Sequence, residues 1–204
     1  MRVLTGIAAL AALAVLSLLA VQRGAADLAA FGARHGLDRA GLPTLEASER
    51  ARRGLERAIE LDPGNPDHHE YLARWYEYAG AYRLALDHLR LSVQRRPGWP
   101  YAWAELARVK LRLRELDAEL DRAVRQAARL GPWESGVQLA LAQIAMQADS
   151  RLTPQARRAA LGVMGNALKW QEREIANLAV RSGRLDLLCD IPGIAAYRAG
   201  LRCI

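Results

Sequence analysis

Few residues in this chain have the type and spacing to do chemistry. The histidines are four, His35, His68, His69 and His88, and the cysteines are two, Cys189 and Cys203. His69-Glu70 opens like the zinc motif H-E-x-x-H, but Ala73 stands where the second histidine is required. His68 and His69 are adjacent, and neighbours on a helix point about 100° apart. They are therefore expected as solvated histidines at a helix start rather than as a metal pair. The phosphate loop G-x-x-x-x-G-K and the nucleophile elbow G-x-S-x-G are both missing from the sequence. Two cysteines exclude a four-cysteine zinc site and a disulfide-dense scaffold. Cys189 and Cys203 are separated by 13 residues that include Pro192, Gly193 and Gly200. In an oxidising compartment they could pair, which would contribute about 3 kcal/mol through chain entropy; the alternative is two buried thiols. The expectation is a chain with no catalytic residue, no cofactor and no metal.

The remaining candidates for a binding role are aromatic. Trp99-Pro100-Tyr101-Ala102-Trp103 and Gly131-Pro132-Trp133-Glu134 both sit where turns are expected. Trp99, Trp103 and Trp133 either pack over those turns and lock one element to the next, or form an aromatic ledge for a sugar ring or a partner.

The elements that must position these residues follow from a fixed period. Pro63 and Pro97, Pro66 and Pro100, and Trp99 and Trp133 are each 34 residues apart. Between them lie stretches long enough for a helix–turn–helix pair, and 34 is the tetratricopeptide (TPR) repeat length. From Asp67 to Pro97 the fit is close. Leu72, Ala73 and Tyr76 share one face of a first helix, Gly80 makes the turn, and Tyr82, Ala85, Leu89 and Ser92 share a face of the second. The small residues let two helices approach; the large ones fill the space beside them. From Tyr101 the pattern repeats with Trp103, Leu106, Ala107, Leu116, Leu120 and Val124, and its closing proline, Pro132, falls one residue late. A one-residue insertion near the second helix is inferred. Upstream, Ala51, Leu55, Ala58 and Pro63 match the second half of a repeat whose first half is degenerate, interrupted by Gly36, Gly41 and Pro43. Downstream, Leu141 and Ala142 begin another repeat, and Thr153-Pro154 reads as cap and first residue of a helix running to about Trp170. A divergent end pair is expected around Glu174–Arg181 and Leu185–Cys189, since helical stacks need capping repeats.

At the other end, Val3–Val21 is a run of 19 residues without a charge, against the roughly 20 needed to cross a bilayer. An uncleaved signal anchor over 1–24 is expected, followed by an irregular linker over 25–42 and a TPR-like domain over 43–204. The best cleavage site, Gly24-Ala25-Ala26, is a poor one. Arginines flank both ends of the span, so the positive-inside rule does not set its orientation. Export of the bulk of the chain is the working expectation.

The length of 204 residues, 51% of them apolar, suits one helical domain plus such a segment, and excludes a large multidomain enzyme. The net charge of +7 comes mostly from arginines. They alternate with acids, as in Arg112–Leu130, a pattern expected to give solvated helix faces laced with i,i+4 pairs. Nucleic acid is not expected as a partner; an anionic lipid head or an acidic glycan is compatible with the charge.

The segment RRPGWPYAWAELARVKL, followed by LGPWESGVQLAL, resembles the VpsP-like exopolysaccharide biosynthesis proteins of bacteria. The resemblance covers roughly residues 55–143, with Ser135 where a proline is expected after Glu134. It implies a small all-α protein, an N-terminal transmembrane helix followed by a TPR-like array, anchored in the bacterial inner membrane with the repeats in the periplasm. It implies a non-enzymatic scaffold in exopolysaccharide synthesis or export, with protein partners in that complex. The alternatives are a TPR assembly factor for another envelope process, such as cytochrome maturation, or a glycan-handling enzyme. In a TPR stack the first helix of each repeat lines the concave face. That places Asp67, Glu70, Tyr71, Arg74, Glu77 and Tyr78, then Tyr101, Glu105, Arg108 and Arg112, on the expected partner surface.

Overall fold

A computed structural model describes residues 2–39, 42, 44–189 and 191. Among them every regular element is helical: α1 (Arg2–Arg39), α2 (Leu45–Leu61), α3 (Pro66–Tyr78), α4 (Tyr82–Arg95), α5 (Pro100–Arg112), α6 (Ala118–Leu130), α7 (Ser135–Ala148), a 3-10 turn (Asp149–Arg151), α8 (Pro154–Ala167), α9 (Glu172–Ser182) and the short α10 (Asp186–Cys189). The chain divides into two compact units, with the boundary between Ala81 and Tyr82.

In the first unit, α1 runs for 38 residues, about 57 Å at the usual rise. Its apolar N-terminal half is long and apolar enough to cross a membrane, and the side chains from Leu10 to Val21 are exposed. The linker expected over 25–42 is instead helical as far as Arg39. The cause is tertiary. Ala26, Ala30 and Ala33 recur at helical spacing and are buried against α2, in a core with Ala51, Leu55, Ala58, Leu72 and Trp75. A Cβ on Gly54 of α2 would lie 2.5 Å from the Ala29 carbonyl oxygen, so only glycine permits this approach. The helix thus supplies the half-repeat that looked degenerate. α1 packs on both α2 and α3, and the boundary between the two compact units falls inside the repeat read from Asp67 to Pro97.

In the second unit, α5, α7 and α9 form one layer, with α5 beside α7 and α7 beside α9. α6 and α8 form the layer behind, and α4 packs against α5. Ala107, Ala123, Ala127, Ala142 and Ala160 are fully buried where these helices meet. Asp117 caps α6 by accepting from the Glu119 and Leu120 amides at 3.0 and 3.1 Å. Thr153 caps α8 as expected, accepting from the Ala156 amide at 3.3 Å, and that helix ends at Ala167.

The internal repeat is visible bond by bond. The amide of Ala81 donates to the Tyr76 carbonyl, and that of Glu115 to the Lys110 carbonyl, at 2.8 and 2.9 Å and 34 positions apart. The turn prolines show the same offset. His69, Trp103 and Gln138 each pair a ring or amide nitrogen with the carbonyl of Pro63, Pro97 and Pro132, at 3.2, 2.8 and 3.0 Å. The steps are 34 and then 35, which is the inserted residue inferred from the late Pro132. The pair Cys189–Cys203 cannot be placed, since Cys203 lies outside the described residues.

Candidate functional site

The expected partner surface on the first helix of the first repeat belongs largely to the first unit's own packing. Tyr71 donates its hydroxyl to Asp38 at 2.9 Å, and Arg74 donates to the other oxygen of Asp38 at 2.7 Å and to the Leu37 carbonyl at 3.2 Å. The guanidiniums of Arg34 and Arg74 lie 5.5 and 5.2 Å from the Tyr71 ring centroid. Tyr78 donates to the Leu42 carbonyl at 3.2 Å. Asp67, Glu70 and Glu77 are half-buried. The C-terminal part of α1 therefore occupies the face that the repeat geometry leaves open elsewhere.

Beneath that face sits a histidine that the sequence placed in solvent. His68 is fully buried and His69 nearly so. Arg34 approaches His68 Nδ1 at 2.7 Å. A guanidinium can only donate, so Nδ1 accepts and the ring proton sits on Nε2, which is buried without a hydrogen-bond partner. Burial, then the charge of Arg34, push His68 below its ordinary pKa.

The second unit keeps its corresponding face open. A groove of about 440 Å³ runs across α5, α7 and α9. Its residues occupy equivalent positions in three successive first helices: Glu105, Ala140 and Glu174 in one row, Arg108, Gln143 and Asn177 in the next. The steps are again 35 and 34, matching the inserted residue. Leu178 and Arg181 continue the lining along α9. Glu105 pairs with Arg108 one turn away. Of the four residues expected on α5, Glu105 and Arg108 line this groove. Tyr101 bridges to α7 instead, with its ring against Gly136 and its hydroxyl donating to Glu134 at 2.5 Å. Arg112 is exposed outside the groove lining. The residues from α7 and α9 were missed, although stepping Glu105 and Arg108 forward by the observed period finds them.

The three indoles read as a ledge engage three different neighbours. Trp103 donates to the Pro97 carbonyl across its own turn. Trp99 lies 5.2 Å from the Tyr101 ring, with the Arg96 guanidinium 4.4 Å from its centroid. Trp133 meets Trp170, a ring outside the expected set, at 5.4 Å and 53°.

One cluster was not anticipated. Lys110 is fully buried beside the α5–α6 turn. Its Nζ donates to Glu115, Asp117 and Glu119 at 3.1, 2.9 and 2.7 Å. Burial alone would push the ammonium down, but the three carboxylates outweigh it and hold Lys110 above its ordinary range. Arg90 on α4 completes the cluster, donating to both Glu119 oxygens at 3.0 and 2.7 Å. Arg90 first, with Lys110 beside it and burial opposing, drives the Glu119 carboxyl down to about 2. Glu115, Asp117 and Glu119 thus join helices around the buried Lys110 rather than decorating one helix with i,i+4 pairs. No protein-family model matches the chain, and no curated protein matches it significantly.

Proposed function

We propose that the chain is a non-enzymatic scaffold of the TPR type, anchored in the bacterial inner membrane, that serves exopolysaccharide synthesis or export. The observation that supports this most is the groove across α5, α7 and α9. It repeats one set of positions on three helices and presents Glu105, Arg108, Glu174 and Arg181 beside Leu139 and Leu178. Mixed charge around short apolar contacts suits an extended peptide or the tail of a partner protein: the apolar contacts supply area and the charges fix register. The apolar half of α1 supports the anchor. The Trp-Pro-Tyr-Ala-Trp and Gly-Pro-Trp-Glu words support the exopolysaccharide client and a periplasmic location.

Deletion of the gene should reduce exopolysaccharide output, and wild-type chain should restore it. Arg108→Glu/Arg181→Glu should fail to restore it while fractionating with the membrane and melting like wild type. A mild-detergent pull-down should recover synthesis or export components with wild type and lose them with the double variant. Full restoration by the variant would remove this groove as the working surface. A phosphatase fused after Ile204 should be active if the repeats are exported.

A further inference from the structure

The second unit carries another surface, on its opposite layer. A shallow groove of about 390 Å³ lies between α6 and α8 and is lined by Arg125, Arg129 and Arg158 together with Pro132 and Asn166. All three arginines are exposed. Arg125 donates Nε to the Asp121 carbonyl at 3.3 Å, and Arg129 donates to the Gln126 side-chain oxygen at 3.1 and 2.9 Å. Among the described residues none of the three has a carboxylate partner. By contrast, Arg83, Arg90, Arg108, Arg157 and Arg184 of this unit are each in an ion pair. The Asp121 carboxylate is turned to the Thr153 amide at 3.2 Å. Three guanidiniums without counter-ions therefore line one groove.

Pro132 in the groove lining is followed directly in the chain by Trp133, whose ring pairs with Trp170. These indoles are 56% and 57% exposed, yet their setting is built. Gln138 is fully buried; its oxygen accepts from Trp170 Nε1 at 3.2 Å and from the Gln171 amide at 2.6 Å, while its nitrogen donates to the Pro132 carbonyl. Lys169 holds its ammonium 5.4 Å from the Trp133 centroid and adds a fourth cation.

We infer that this basic groove and its indole pair form a binding surface for an acidic polysaccharide. Guanidiniums match carboxylates in paired hydrogen bonds. The negative face of an indole meets the positive C–H face of a sugar ring by the same quadrupole that orders aromatic pairs. Arg125 and Arg129 are one helical turn apart, about 5–6 Å, comparable to the advance of one sugar residue. A polyuronate supplies both features in alternation along one chain. The two indoles are inclined at 53°, so they do not form one flat platform for consecutive bases of a single-stranded nucleic acid. The surface rests on the scaffold reading for its physiological ligand, an exopolysaccharide, and on the geometry for everything else.

The full chain in detergent micelles should bind alginate, a polyuronate, and should bind neutral dextran at least tenfold more weakly. Arg125→Gln/Arg129→Gln/Arg158→Gln should lower alginate affinity tenfold or more, and Trp133→Ala several-fold, with melting unchanged. Arg95→Gln/Arg112→Gln removes two exposed charges elsewhere and should leave alginate binding intact. No alginate binding by wild type, or equal loss in both arginine variants, overturns the proposal. So does equal or tighter binding to a poly-dT oligonucleotide or to phosphatidylglycerol vesicles. If alginate binding fails while polymer output still requires the gene, the surface is wrong and the scaffold stands. If alginate binds while output ignores the gene, the reverse holds.

Discussion

Gly80 and Arg114 lie 34 residues apart and share the same left-handed backbone, with φ of +75° and +58°. Each closes the turn after a first helix, and the flanking hydrogen bonds coincide at that offset. A side chain in this region costs about 1–2 kcal/mol. Nothing lies within 4 Å of a Cβ built on Gly80, so its replacement carries only the conformational cost. Gly80→Ala should destabilise by about 1 kcal/mol. Arg114→Gly should stabilise by about 0.5–1 kcal/mol, the relief exceeding the entropy gained by the unfolded chain. Urea unfolding of the two variants checks this; equal signs would refute the shared turn.

Lys110 is bonded to three carboxylates, and its loss should be felt strongly. Lys110→Ala leaves Glu115, Asp117 and Glu119 facing one another at the α5–α6 turn. The acids are partly exposed, so the cost is set at about 2–4 kcal/mol, below that of a fully dry pair. The Glu119 carboxyl is depressed, so its contribution is present above the unfolded value of 4.5 and is lost as pH falls toward about 2. Wild type should therefore lose stability over that acidic window, and Glu119→Gln should flatten the slope. Denaturant midpoints across pH 2–5, an order-of-magnitude window around these values, test it.

His68 should make stability respond to milder acid. Its folded pKa lies below the ordinary histidine value of 6.5, so the unfolded chain takes up more protons as pH falls through that value, and stability falls with it. Facing groups are Arg34, which opposes protonation, and Asp27, Asp62 and Asp67, which favour it. His68→Gln should weaken this dependence between about pH 7 and 5. An unchanged slope would remove His68 as its source.

Gly54 tests the docking of α1. A methyl there meets the Ala29 carbonyl oxygen at 2.5 Å, which backbone shifts must relieve. Gly54→Ala should cost about 1–3 kcal/mol and speed tryptic cleavage at Arg34 and Arg39. A variant as resistant as wild type would show that the close approach is not required.

The helical period was legible because prolines and tryptophans stand at fixed positions around the turns, and even the inserted residue could be counted from Pro132. Residues 25–39 were misread because Gly36, Gly41 and Pro43 look like interruptions. Gly36 costs about 1 kcal/mol in a helix, which the burial of Ala26, Ala30 and Ala33 against α2 offsets. The burial of His68 and Lys110 was hidden for a different reason. An ionisable residue reads as solvated until its partners are known, and these come from Arg34 in one case and from the following turn and α6 in the other. On the α5 groove, the period that located Glu105 and Arg108 also leads to Gln143, Glu174 and Asn177. On α3 the same rule failed, because α1 supplies its own cover.

The unbroken α1 has a mechanical consequence. From Val21 to Arg39 an 18-residue flexible tether would let its cargo wander over roughly 20–25 Å in any direction. A helix of that length with its far half clamped onto α2 and α3 instead sets one height, about 27 Å beyond the apolar run, and one azimuth. Tilt or rotation of the apolar half is then transmitted to α2 and α3 as a lever transmits torque. Whatever holds that apolar run also aims the helices fastened to it.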